Sequence, residues 1–343
     1  MQSADRAYAL QQLETIINIP SPSGFTEKAV QYCFDEFTRM GYEPQITPKG
    51  GLLVCLGGEG DPIVLGAHLD TLGAMVRGIK PSGALKISNI GGLQANNTEA
   101  ENVHVYTRDG KVLDGTIQLT NASVHVNADY KTTQRTFDTV ELLLDEKTHS
   151  EAETRALGVD VGDFVAVEPR FRVTESGFIK SRFLDDKLSA AILMAYAKWL
   201  KDSGKTPARK TYVDLTVFEE VGHGGAVIPA DAAEMLSVDM GCVGEGLQCD
   251  ETMVSICVMD SHGPSHKKVV DGLVEAAKRA KVHYALDIYP FYGSDADVSV
   301  AAGHDVRHCV MGAGVYASHG YERSHVEGLE NTFDLIVSYV GTI

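Results

Sequence analysis

The sequence predicts an α/β fold, a mixed-sheet α/β/α domain interrupted by a small β-barrel-like domain. Three observations predict it. Helix and strand periodicities alternate over the first 70 residues. From about residue 71 to 176 the texture changes to short β-rich runs broken by Gly, Asn and Asp turns. Alternation then resumes and continues to residue 343. The α/β domain is therefore expected to be discontinuous, 1–70 and 177–343, around an insertion at 71–176.

Each element has a local cause. Ala7, Leu10, Leu13 and Ile16-Ile17 recur at helical spacing over residues 5–18, and Pro20-Ser21-Pro22-Ser23-Gly24 then forces a loop. A second helix is expected over 26–40, with Gly41 as its C-terminal stop. A hairpin (43–47 and 52–56) leads into a buried strand at 62–67. In the insertion, Ala84–Ile87, Val103–Tyr106, Thr116–Leu119, Val140–Leu144 and Phe164–Val167 read as strands. Further helices are expected at 186–200, 265–280 and 331–340, with a polar linker-like loop at 201–210.

Composition narrows the function. The chain has 343 residues, long enough for two domains, with 44% hydrophobic and 22% charged residues as in soluble globular proteins. Its 30 Lys+Arg against 47 Asp+Glu, a formal charge of −17, argue against nucleic acid or an anionic membrane as partner. No stretch approaches the roughly 18 apolar residues of a membrane span, and the first residues lack a basic region followed by an apolar one. A cytoplasmic location is expected. The six cysteines are dispersed, mostly inside apolar runs, and read as buried free thiols.

The chemistry lies in an ordered series of acids and histidines, most of them at the end of an apolar run: His68-Leu69-Asp70, Asp185-Asp186, Glu219-Glu220, Asp239 and a C-terminal histidine. In open α/β sheets the carboxyl ends of the strands are where sites form. Residues two apart on a strand face the same side, so Asp70 could orient His68 through its second ring nitrogen. Asp186 reads equally well as a helix cap. Two adjacent carboxylates, however, repel unless a cation lies between them, and Asp185 suits a bridging role. Glu219 and Glu220 stand where a strand turns into a glycine-rich loop, so one could ligate while the other handles a proton. Asp239 would close a second shell, and His319 or His325 would supply the last ligand. His262 and His266 flank another loop and fit less well. This N/O donor set suits Zn²⁺, Co²⁺ or Mn²⁺. Two such ions would acidify a shared water and polarise a carbonyl, and a free carboxylate beside that water would be the general base for amide hydrolysis.

These residues resemble the dinuclear-metal aminopeptidases that include glutamyl aminopeptidase and the tetrahedral (TET) aminopeptidases. The likeness runs over nearly the whole chain, through Ile19–Phe25, Gly66–Asp70, Leu184–Asp186, Phe218–Gly222, Ser237–Gly241, Gly293–Ala296 and, in the insertion, Leu157–Asp163. The resemblance implies His68 and Asp239 on one ion, Asp185 bridging, and Glu220 with the last histidine on the other. It implies Asp70 as the orienting acid and Glu219 as general base or acid. It also implies short peptides with free N-termini as substrates, and a homo-oligomer: a dimer formed through the insertion, often assembled into a dodecamer. The family's Arg-Tyr-x-His pattern is altered here to Tyr316-Ala317-Ser318-His319, followed by Tyr321-Glu322-Arg323-Ser324-His325. The interval from Asp295 favours His319, while the local pattern favours His325. The rival reading is a co-catalytic zinc deacylase or carboxypeptidase acting on N-acyl amino acids. Those enzymes carry their smaller domain after the Glu-Glu and Asp ligands, whereas this insertion precedes Asp185.

Overall fold

A computed structural model describes residues 1–343. The chain forms two compact units, Met1–Asp70 with Arg170–Ile343, and Thr71–Pro169. Residues 170–176 thus belong with the α/β unit rather than with the insertion. The reason is pairing: Arg172–Val173 adds as an antiparallel strand to Phe178–Ser181, which in turn pairs with Glu322–His325.

The inserted unit is a closed barrel of six strands. Its order is Gly73–Ile79, Leu85–Ile90, Val140–Leu144, Val112–Leu119, Asn102–Tyr106 and Phe164–Val167, the last returning to the first. Alternation builds its interior. Leu85 and Ile87, Val103 and Val105, Ile117 and Leu119, and Val140 and Leu142 are each buried at every second position.

The α/β unit is built on a mixed sheet whose centre is parallel. Ile63–His68 lies between Thr211–Thr216 and Glu234–Val238, parallel to both, and Arg307–Tyr316 continues the parallel run beyond Glu234–Val238. Strands covered on both faces read as continuous apolar runs, and every residue of Ile63–His68 and of Glu234–Val238 is buried. On one face Ile63, Leu65, Ala67, Val213, Leu215, Leu236 and Val238 pack under the helices Ser3–Ile17, Leu184–Ser203 and Val326–Val340. Leu184–Ser203 is buried almost all round, as a central helix must be. On the other face Val64 and Met235 pack with Ala296 of the short helix Asp295–Ala301. By the two-residue period, His68 and Thr216 stand on this second face at the strand ends, and Asp239 follows directly on Val238.

The helices at 5–18, 26–40, 186–200 and 265–280 are found as Ser3–Ile17, Glu27–Arg39, Leu184–Ser203 and Lys267–Ala280. The last helix begins earlier than expected, at Val326, because His325 caps it by accepting the Glu327 N–H. The polar loop expected at 201–210 is found at 204–210, its first three residues completing the helix Leu184–Ser203, and it leads into the strand Thr211–Thr216. All six cysteines are free. No helix is long and apolar enough to cross a membrane.

Candidate metal centre

The strand ends deliver their side chains to one place. His68 is the last residue of its strand and is 1% exposed. Its Nε2 lies 3.0 Å from Asp185 Oδ1 and 3.8 Å from Glu219 Oε2. The other carboxylate oxygen of Asp185 faces His319 Nε2 at 3.6 Å, and the same nitrogen is 3.6 Å from Glu220 Oε2. Asp185 therefore stands between two histidines, one oxygen toward each. Ligand atoms of His68, Asp185 and Glu220 lie within 4.8 Å of one another, as do those of His68, Asp186 and Asp239.

Local backbone explains how adjacent acids converge. Asp185 and Asp186 precede the regular part of their helix, with φ/ψ of −76°/102° and −121°/25°, and the peptide bond between them is cis. Asp186 thus stands at the cap position its sequence invited, but its carboxylate turns to the neighbouring strand. It accepts the His68 N–H through Oδ2 at 3.3 Å, and its Oδ1 is buried without a hydrogen-bond partner. Glu219 and Glu220 lie in a single 3₁₀ turn after Phe218, whose left-handed φ of +73° swings the chain off the strand. The glycines that follow permit a close approach: a Cβ at Gly225 would collide with the Asp295 carbonyl oxygen. Asp295 then accepts the Gly225 N–H at 2.6 Å and the Thr216 hydroxyl.

Asp70 takes a different position from the one its spacing suggested. The hydrogen bond at His68 Nδ1 goes to the Asp70 backbone carbonyl at 2.8 Å, while the Asp70 carboxylate is 3.6 Å away. The strand ends at His68, so the two-residue period no longer applies beyond it. The Asp70 carboxylate instead accepts the Glu219 and Glu220 N–H groups at 3.1 and 3.3 Å and the Ser23 hydroxyl at 2.5 Å. It anchors the turn that presents the glutamate pair.

His325 lies elsewhere, its Nε2 donating to the Ser176 carbonyl at 2.8 Å and its Nδ1 serving as the helix cap. Sequence reasoning missed Glu322, which is 2% exposed and accepts the Asp185 N–H and the His319 N–H, both at 3.1 Å. The signal was available: a lone acid three residues after His319, directly before Arg323-Ser324-His325. It also missed Ser318, which donates to Asp185 Oδ2 at 3.1 Å, and Tyr292, whose hydroxyl reaches Asp239 and the Met240 carbonyl.

The electrostatics calls for cations. Burial raises Glu219, Glu220 and Asp186 well above the usual carboxylate range, and neighbouring acids add to it. Burial and Asp185 push Asp239 up to about 7. For His68, burial favours the neutral ring, but the hydrogen bond with Asp185 and the charges of Glu219 and Asp70 outweigh it and raise its pKa. Asp185 is held below the usual range, its burial overcome by His68. So many buried acids cannot all ionise unless positive charge is placed among them. The orphaned Asp186 oxygen and the mixed N/O donors fit divalent metal ions.

The α/β sheet with its barrel insertion and a cluster of metal-type donors at the strand ends defines a metallohydrolase. The profile of the M42 glutamyl aminopeptidase family matches residues 50–335, and the chain belongs to that family. It is a metal-dependent aminopeptidase. It is 41% identical over 334 residues to YhfE of Bacillus subtilis (strain 168), an inferred aminopeptidase, covering 96% of each chain. It is 23% identical over 253 residues to the glutamyl aminopeptidase of Lactococcus lactis subsp. cremoris (strain MG1363), covering 68% of this chain and 70% of that one. In fold it is similar to the TET aminopeptidase of Thaumarchaeota archaeon SCGC AB-539-E09, at a TM-score of 0.88 and 21% identity over 97% of this chain and 96% of that one. It is also similar to the TET1 peptidase of Pyrococcus horikoshii, described as assembling into a tetrahedron or a large octahedral shell, at a TM-score of 0.85 and 23% identity over 97% and 99% of the two chains. The deacylase and carboxypeptidase reading is not favoured.

Proposed function

We propose that this centre removes single residues from the free N-termini of short peptides, with two divalent ions per chain as cofactor. The observation that carries the reading is Asp185, whose two oxygens face two different histidines. His68 and Asp239 would hold one ion and Glu220 and His319 the other, with Asp185 shared. Zn²⁺ and Co²⁺ suit these donors best, with Mn²⁺ a third choice. Such ions supply a water acidified toward neutrality and a polarised scissile carbonyl.

The protein's own groups do the rest. Glu219, raised by burial and 3.8 Å from His68 Nε2, is placed to take a proton from the attacking water and return it to the leaving amine. Asp70 holds the Glu219–Glu220 turn, and Glu322 holds the backbone of Asp185 and His319. A cluster this rich in carboxylates favours the ammonium end of a peptide over its carboxylate end, which supports an aminopeptidase over a carboxypeptidase. The tetrahedral assembly of the Pyrococcus horikoshii relative supports self-association, which we assign to a dimer through the inserted barrel and a dodecamer above it. A cytoplasmic location accords with the acidic composition and the free thiols.

The test is hydrolysis of aminoacyl-p-nitroanilides and their N-acetylated counterparts by metal-stripped protein resupplied with Zn²⁺, Co²⁺ or Mn²⁺. Cleavage of free-amine substrates alone, restored by metal, is expected; cleavage of the acetylated set would overturn the reading. Glu219→Gln should keep its metal and lose about 10²- to 10⁴-fold in turnover, whereas Glu220→Gln should lose metal. Unchanged turnover in Glu219→Gln would remove it as the proton carrier.

A further inference from the structure

A second group of metal-type donors lies on the same unit, apart from the centre described above. Asp260, the last residue of the strand Val254–Asp260, is 7% exposed. Its Oδ1 accepts the His262 and Gly263 N–H groups at 2.8 and 3.2 Å, which shapes a tight turn. Asp297, on the first turn of the helix Asp295–Ala301, faces the Asp260 carboxylate closely enough to hydrogen-bond to it. Its Oδ2 is engaged in the helix cap with Ser294, while its Oδ1 lies 3.7 Å from His308 Nε2. The third member, His262, lies over the backbone of Gly293, where a Cβ would fall 2.5 Å from the ring's Cε1. Gly293 thus leaves the space that lets the His262 ring turn toward the two acids.

Ligand atoms of Asp260, His262 and Asp297 lie within 4.8 Å of one another. Tetrahedral Zn²⁺ with bonds near 2.0 Å sets its ligand atoms about 3.3 Å apart, so modest side-chain rotation closes the group. Two carboxylates in contact must share either a proton or a cation. His308 Nε2 stands 3.7 Å from Asp297 Oδ1, so a further nitrogen donor lies beside the pair.

We propose that Asp260, His262 and Asp297 form a further divalent-metal site, of zinc type, separate from the catalytic pair, with His308 or water as the fourth ligand. Its consequence is structural. The ion ties the turn after Val254–Asp260 to the helix whose Asp295 holds Gly225 and Thr216, and so to the turn bearing Glu219 and Glu220. The same junction is bridged by Ser261, whose N–H and hydroxyl both donate to the Tyr292 carbonyl at 3.2 and 2.5 Å.

The experiment is metal stoichiometry on full-length protein, by elemental analysis after Zn²⁺ loading and desalting, together with Co²⁺ absorption spectra. His262→Ala and Asp297→Asn are each expected to bind one equivalent fewer than the unaltered protein and to lose one component of the Co²⁺ spectrum. Glu220→Gln, which is aimed at the catalytic centre, should keep that component, so failure of the two sites is distinguishable. His262 is exposed, so its replacement does not threaten folding. Equal metal content and identical Co²⁺ spectra in His262→Ala and the unaltered protein would overturn the proposal.

Discussion

Lys187 sets a measurable pH dependence of stability. Its side chain is fully buried between the helices Ser3–Ile17 and Leu184–Ser203, with Nζ donating to the Ile16 and Ile19 carbonyls, both at 2.8 Å. Burial pulls its pKa down to about 7, against about 10.4 for an exposed lysine. Between these values the unfolded chain binds more protons than the folded one, so stability rises with pH across that window and is lost as pH falls through it. One full proton of difference is worth about 1.4 kcal/mol for each step of one in pH, and the folded lysine is half-titrated at its own pKa, so the gain from pH 7 to pH 9 is about 2 kcal/mol. Lys187→Met keeps the length of the side chain and removes the proton. At pH 7 the variant escapes the cost of the buried charge but forfeits two hydrogen bonds of about 1 kcal/mol each. Its stability relative to the unaltered protein should therefore fall by about 2 kcal/mol between pH 7 and pH 9. Urea unfolding of both proteins, metal-stripped, at half-unit pH steps measures this. A stability difference that stays constant across that range would refute the reasoning, because all other titrating groups are common to the two proteins.

Asp214 should show the opposite slope: burial, with Asp295 adding to it, raises its pKa to about 8, so the folded state holds the proton that the unfolded chain releases near pH 4. Stability falls as pH rises through that window, and Asp214→Asn should remove about 2–3 kcal/mol of the loss between pH 5 and pH 7 in urea unfolding of metal-stripped protein. His319→Ala should lower metal occupancy by elemental analysis, whereas His325→Ala should leave it intact and instead cost about 1 kcal/mol through the lost helix cap; the reverse order would move the ligand to His325.

What the sequence made legible follows from strand geometry. His68 and Asp239 each close an apolar run, and parallel strands must bring such ends to one edge, so their convergence could be read without coordinates. The Glu219-Glu220 pair was legible as far as the turn, since the glycines after it announce where the strand stops. Roles that depend on backbone atoms were not legible. Asp70 acts on the Glu219 and Glu220 N–H groups, and its carbonyl rather than its carboxylate meets His68. Asp186 carries the signature of a helix cap and stands at that position, and only the fold shows its carboxylate accepting the His68 N–H. His319 and His325 were separable only in space, because spacing argued for one and local pattern for the other. The inserted domain was visible as texture, but its C-terminal edge was not, since residues 170–176 are claimed by pairing with a strand just beyond them.

The same burial that makes the centre costly links its occupancy to pH. Glu219, Glu220, Asp186 and Asp239 are all raised by burial, so in the absence of cations protons take the place of positive charge among them. A divalent ion entering the group must displace those protons, and its affinity therefore increases as pH rises. Asp185 stands apart, held ionised by His68 on one side with His319 on the other. It is thus the one acid of the group ready to receive an ion without first giving up a proton, which suits the residue that both ions would share. The surrounding hydrogen bonds from Ser318, Ser23 and the backbone N–H groups spend their donors on Asp185, Asp70 and Glu322. They leave the Asp186 Oδ1 unsatisfied inside the protein. A donor there would have stabilised the empty fold, and its absence keeps that oxygen available to a cation.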